Sequence, residues 1–130
     1  KTNADGVSGP VKPHFDTAAP RWVVRGRLCE RKSLEHMTII QNPTDTRTGN
    51  VLFSRSLFDK LAEPFDPQFG TIGGGDVAFF KRMMEKGRTL SWCDNVPLFE
   101  TGAEKRLTRS YFLKRALIRG VTNARHISFF

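Results

Sequence analysis

The scarcity of cysteine narrows the sequence first. There are two, Cys29 and Cys93, far apart, and neither sits in a CxxC pair or at a Cys/His spacing that ligates metal. That excludes a disulfide framework and a zinc module. Both thiols are expected to be reduced and partly buried, as in an intracellular protein. No stretch approaches the roughly 20 apolar residues of a membrane-spanning helix. There is no internal repeat and no low-complexity tract. The three histidines, His14, His36 and His126, have no partner at ligand spacing and read as structural or surface residues. Acidic residues are also few, 13 Asp and Glu against 21 Lys and Arg.

What remains is a basic chain with an aromatic core. At 130 residues and 38% hydrophobic it can form one domain of ordinary size, and 11 Phe and 2 Trp supply bulk to bury. A net charge of +8 suggests an anionic partner: a nucleotide, a nucleic acid or an acidic membrane surface. The first residue is Lys1 rather than Met, and the chain reads as a piece of something longer.

Periodicity and turn chemistry predict a mixed α/β fold. Residues 4–11 read as a strand closed by Gly-Pro, and 12–22 as an irregular packed connection. Residues 41–50, QNPTDTRTGN, are dense in turn formers and read as a loop with potential mobility. Val51–Phe53 reads as a strand edge and 55–62 as a short helix capped by Ser54 or Ser56. In 73–87, GGGDVAFFKRMMEKG, Asp76 stands where an N-cap belongs. Val77, Phe80 and Met84 share a helical face with Phe79 and Met83 beside it, and Gly87 is a natural C′ residue. Strands are expected at 88–93 and 96–100, around an Asp94-Asn95 turn. A basic helix is expected from Leu107 to Gly120.

Asp76 is the leading chemical candidate. As a plain helix cap it gains from the helix dipole. As a carboxylate at a cleft it would be held in one orientation, as a general base requires, and the glycines would let a substrate approach the backbone. The two roles are compatible. A phosphate cradle is disfavoured, because GGGD lacks the GxGxxG and GK[ST] patterns and the carboxylate would repel phosphate. The basic stretch 104–120 is open to several readings: a solvated face, an interfacial helix on anionic lipid, or arginines reaching a pyrophosphate. No nucleic-acid module signature is present.

In order along the chain, RTGNVLFSRSLF (47–58), FDPQFGTIGGGDVAFFKRM (65–83) and LSWCDNVPLFETGAEKRLTRSYFLKRALIRG (90–120) resemble the C-terminal half of family 2 glycosyltransferases with the GT-A fold. The likeness is to bacterial enzymes of succinoglycan-type exopolysaccharide synthesis. ADGVSGPVKPHF (4–15) and APRW (19–22) extend it over nearly the whole chain, with 23–46 its least distinctive part.

The resemblance implies a partial GT-A fold, a mixed sheet with flanking helices. It implies an inverting transfer from a nucleotide sugar, expected to be UDP-linked, to a saccharide or lipid-linked acceptor. Asp76 matches the general base, and Gly75 stands where the family usually has glutamate. Gly73, Gly74 and Gly75 would make room for the acceptor. Thr48, Gly49 and Asn50 match the segment lining the donor side, and Arg106 and Arg109 match basic residues near the donor diphosphate. The family's nucleotide-binding half carries an Asp-x-Asp motif that holds Mg²⁺ or Mn²⁺, and this sequence has neither that half nor the motif. The chain therefore reads as the acceptor-side half of a catalytic domain, inactive alone, with no tightly bound cation of its own. The expected location is the bacterial cytoplasm, peripheral to the inner face of an anionic membrane, with no nucleic-acid partner. Two rivals stay open: a non-catalytic basic module binding anionic membrane or nucleic acid, and a degenerate relative, which Gly75 would favour.

Overall fold

The computed structural model describes residues 3–59, 61, 63–70 and 73–128, with side chains followed to residue 124. The chain forms two compact units. One comprises Lys1–Pro10 and Lys32–Leu98, the other Val11–Arg31 and Phe99–Phe130.

The first unit is built on a mixed three-stranded sheet. Strand β1 (Gly6–Ser8) lies in the middle, antiparallel to β3 (Val51–Phe53) and parallel to β4 (Leu90–Trp92). Val7 faces Leu52 on one side and Ser91 on the other. Ile39 bridges the far side of β4, with Ile40 N–H donating to Leu90 O and Trp92 N–H to Thr38 O, both 2.8 Å. All three residues of β4 are buried, the pattern of a strand covered on both faces. Gly6 is glycine because its neighbours are close: a Cβ there would lie 3.0 Å from Leu52 O and from Phe53 Cδ1.

Helix α3 (Gly75–Glu85) packs its apolar side on the sheet. Ile40, Leu57, Phe79, Phe80, Met83, Leu90 and Trp92 form the buried cluster. Around it the rings of Phe53, Phe58, Phe65 and Phe79 meet edge-on, stacked or tilted, at centroid distances between 4.9 and 6.1 Å. Each such pair adds about 0.5–1.5 kcal/mol beyond area burial. The buried residues of α3 are Ala78, Phe79, Phe80 and Met83, while Val77 and Met84 are half-buried. The inward face is thus turned from the expected Val77–Phe80–Met84 line, because two consecutive phenylalanines carry more area to bury than Val77 or Met84.

The end of α3 follows its sequence signal. Gly87 has φ +74, its N–H donates to Met84 O at 2.9 Å, and Arg88 N–H donates to Met83 O at 3.0 Å. These are the paired bonds of a Schellman motif. The short helix α2 (Arg55–Phe58) starts after Ser54, whose hydroxyl meets Ser56 Oγ at 2.6 Å instead of capping the backbone. Its expected extension to Ala62 reaches outside the described residues. Residues 41–50 form two 3-10 turns, Pro43–Asp45 and Thr48–Asn50. Asn42 caps the first through its side chain, and Thr46 at its end is fully buried, its hydroxyl donating to Pro43 O.

In the second unit, β2 (Val11–His14) pairs with β5 (Leu98–Thr101), and Gly102 N–H donates to His14 O at 2.9 Å. Helix α1 (Arg21–Arg25) buries Val23. Helix α4 runs Arg109–Ser128, with Thr108 Oγ1 accepting from Tyr111 N–H at 3.3 Å at its start. Trp22 meets the ring of Phe112 edge-on at 5.7 Å. α4 passes through Gly120 instead of ending there, because one interior glycine costs about 1 kcal/mol and no proline follows it. Among the described residues no helix is long and apolar enough to cross a membrane.

Candidate functional site

Asp76 lies in the first turn of α3, one residue inside the helix. The N-cap is Gly74, at φ 89° and ψ 4°, and Gly73 before it has φ 84°. These left-handed angles turn the chain into the helix two residues earlier than the expected Asp76 cap, and glycine adopts them without the Cβ cost that other residues carry. Asp76 Oδ1 accepts from the Val77 backbone N–H at 2.9 Å. Its other carboxylate oxygen has no partner among the described residues. The side chain is half-buried, and the helix dipole favours its charge.

Space lies along the glycine loop that leads to this residue. A Cβ placed on Gly73 would meet nothing within 4 Å, and one on Gly75 would touch Phe69 Cβ at 3.4 Å, an ordinary contact. The segment therefore combines an oriented, half-buried carboxylate with open space over Gly73, three residues before it. Chemically it can accept a hydrogen bond and a proton from a hydroxyl laid against the glycines.

The segment Thr48-Gly49-Asn50 is in the same unit. Thr48 and Gly49 are exposed. Asn50 faces inward: its Nδ2 donates to Val96 O at 2.8 Å and to Pro10 O at 3.1 Å, and its own carbonyl accepts from Gly9 N–H at 3.0 Å. Gly9 leaves the room, since a Cβ there would sit 2.7 Å from Asn50 Nδ2. The amide of Asn50 thus ties the end of β1 to the loop after β4, and within this triplet Thr48 and Gly49 are what a ligand can meet. Asp5 makes a comparable clamp at the other end of β1. Its carboxylate accepts from Thr89 N–H at 2.9 Å and from Arg88 Nη1 at 3.2 Å.

Arg106 and Arg109 lie in the second unit and do different things. Arg106 lines a pocket of about 110 Å³. The Arg109 guanidinium stands over the Trp22 ring, 5.9 Å from its centroid, a cation–π arrangement outside that pocket. The pocket also contains residues that composition did not single out as a site. Tyr111, Arg115 and Arg119 enter it from α4, Cys29 and Arg31 from the segment after α1, and Glu100 from β5. The signal was present in the i, i+4, i+8 spacing of Tyr111, Arg115 and Arg119, which sets them on one helical face. Arg115 Nη1 donates to Tyr111 Oη at 3.1 Å, and Arg31 pairs with Glu100 at 2.9 Å. Burial pushes the Cys29 thiol up from its ordinary value, and the Arg115 charge pulls it partly back.

The chain is similar to the succinoglycan biosynthesis protein ExoM of Rhizobium meliloti (strain 1021). The two are 30% identical over 128 residues, a match taking in 95% of this chain and 39% of ExoM. The chain thus spans about two fifths of ExoM's length. No protein-family model matches the sequence, and no solved structure matches it. The match spans nearly the whole chain, so the glycine loop and the residues of the basic pocket both fall within it.

Proposed function

We propose that this chain is the acceptor-side part of an inverting, family 2-like glycosyltransferase with a GT-A fold, and that Asp76 is its general base. The carrying observation is the half-buried Asp76 carboxylate, one oxygen fixed by Val77 N–H, at the end of a glycine loop with open space over Gly73. The similarity to ExoM supports a place in exopolysaccharide synthesis. The complete enzyme takes a sugar from a nucleotide sugar, UDP-linked, to a saccharide or lipid-linked acceptor. It works in the bacterial cytoplasm, against the inner face of the membrane.

In this reading the acceptor hydroxyl donates a hydrogen bond to the free Asp76 oxygen. As the hydroxyl oxygen bonds to the anomeric carbon, its proton passes to Asp76. The bond from that carbon to the diphosphate breaks on the opposite face, and the electron pair leaves with the nucleoside diphosphate. Positioning and proton transfer each lower the barrier. Mg²⁺ or Mn²⁺ belongs to the family's donor half. No group of three His, Cys, Asp or Glu side chains placed to hold a cation occurs among the described residues, so none is assigned a metal here.

The test is UDP release from UDP-sugars by the polypeptide extended upstream through the donor half, wild type beside Asp76→Asn. Loss of the base lowers turnover by roughly 100- to 10,000-fold. Equal activity in the two would reduce Asp76 to a first-turn helix residue.

A further inference from the structure

We propose that the outward face of α4 is a docking surface for an anionic membrane, on which the helix lies flat with Leu113, Leu117 and Val121 inserted. The first observation is where the charge sits. Val11–Arg31 and Phe99–Phe130 together carry twelve Lys and Arg against four Asp and Glu, and the rest of the chain carries nine against nine. The entire +8 therefore belongs to the second unit, whose longest element is α4. Between Arg109 and Ser128 there is no acidic residue. Such an asymmetry fits a polyanion or an anionic surface as partner.

The second observation chooses between them. Tyr111, Phe112, Arg115 and Arg119 face their own unit: all four line its pocket, and the Phe112 ring meets Trp22 at 5.7 Å. At about 100° per residue, Leu113, Leu117 and Val121 fall on the opposite side of the helix. They are 68%, 73% and 52% exposed, and Gly120 and Ala124 on the same side add no charge to the stripe. Exposed Lys114 borders it, where its stem can lie along lipid while its ammonium meets a phosphate. A nucleic acid has no use for a stripe of leucine and valine. A cationic helix with one apolar face settles at the headgroup boundary of an anionic bilayer. Among the described residues no helix is built to cross that bilayer, so α4 lies on it. This deepens the membrane placement of the proposed function by naming its surface, and it rests on that placement, not on proton transfer to Asp76.

Flotation with vesicles of phosphatidylcholine, with and without phosphatidylglycerol, tests this. The chain should float with the phosphatidylglycerol vesicles, stay behind with phosphatidylcholine alone, and come off as salt is raised. Leu113→Gln combined with Leu117→Gln should weaken binding roughly 10- to 100-fold, with an unchanged circular dichroism spectrum because both side chains are exposed. Leu52→Gln, which alters a 75% exposed leucine of the other unit, should bind as wild type. So should Asp76→Asn. Absence of flotation overturns the proposal, as does flotation that the double leucine variant leaves intact, which would mean adsorption by charge alone. Tighter binding to duplex DNA than to vesicles, indifferent to the leucines, would give the surface to nucleic acid instead. A dimer that the double variant dissociates would give the stripe to a second copy. Loss of flotation on extension through the donor half would give it to that half. Each of these three results also overturns the proposal. An extended polypeptide that releases UDP from UDP-sugars without binding vesicles would sink the membrane surface alone. One that binds vesicles and transfers no sugar would sink the transferase reading alone.

Discussion

Asn50 Nδ2 and Val96 O are 2.8 Å apart, joining two segments 46 residues distant in sequence. The same nitrogen reaches Pro10 O at 3.1 Å, so both amide hydrogens are used on backbone carbonyls. Removing them strands the part-buried Pro10 carbonyl just after β1 and unties the exposed Val96 carbonyl from it. Asn50→Ala is expected to destabilise the chain by about 1–3 kcal/mol, and Asn50→Asp by at least as much, because a carboxylate cannot donate to a carbonyl. Urea unfolding followed by circular dichroism measures both. Unchanged midpoints would mean that the contact is idle and that Asn50 is free to meet a ligand.

Adjacent glycines in the loop before α3 should respond oppositely. Gly74 has φ 89°, so Gly74→Ala forces a Cβ into left-handed backbone and is expected to cost about 1–2 kcal/mol. Gly75 is already helical, and a Cβ there meets Phe69 at an ordinary 3.4 Å. Gly75→Glu should therefore fold with stability equal to wild type or slightly above it, since a carboxylate in the first turn suits the helix dipole. Thermal melts of the two variants decide it. The Gly75→Glu protein, extended through the donor half, also tests whether glycine here marks a decayed site: a large gain in UDP release would say that it does.

Ser91 is 1% exposed in the middle of β4, and its hydroxyl has no partner among the described residues. Burying an unpaired hydroxyl costs free energy, and alanine keeps the strand's backbone bonds. Ser91→Ala is expected to be neutral or to raise the unfolding midpoint. A clear drop would reveal a hydrogen bond at Oγ and correct this view of the sheet.

Burial raises the Cys29 thiol above its ordinary value, against the opposing charge of Arg115. The consequence for pH has a definite sign. Below the unfolded thiol's pKa both states keep the proton and nothing changes. As pH rises through that value the unfolded chain ionises first, so Cys29 subtracts from stability on the alkaline side. Alkylation of Cys29 in the folded chain should reach its midpoint at a higher pH than in urea-unfolded chain. Arg115→Leu should push it higher still. Coincident midpoints in folded and unfolded chain would contradict the burial.

The sequence by itself determined the mixed α/β class, the helix that ends at Gly87, the strands around Leu90–Trp92 and Leu98–Thr101, and the turn between them. These rest on local chemistry: a glycine at C′, runs of apolar and β-branched residues, and Asp-Asn between them. It also singled out Asp76, because three glycines before one carboxylate are conspicuous in any context. The start of α3 depended on the angles of Gly73 and Gly74, which residue identity permits and does not dictate. The buried face of α3 depended on which phenylalanines found partners across the sheet. The fate of Asn50 and the parting of Arg106 from Arg109 were tertiary decisions too. An asparagine among turn formers and two arginines three residues apart look alike in sequence, and what each does depends on whether a carbonyl, an indole ring or a pocket stands opposite. Long-range packing supplies those neighbours, and no local rule encodes them.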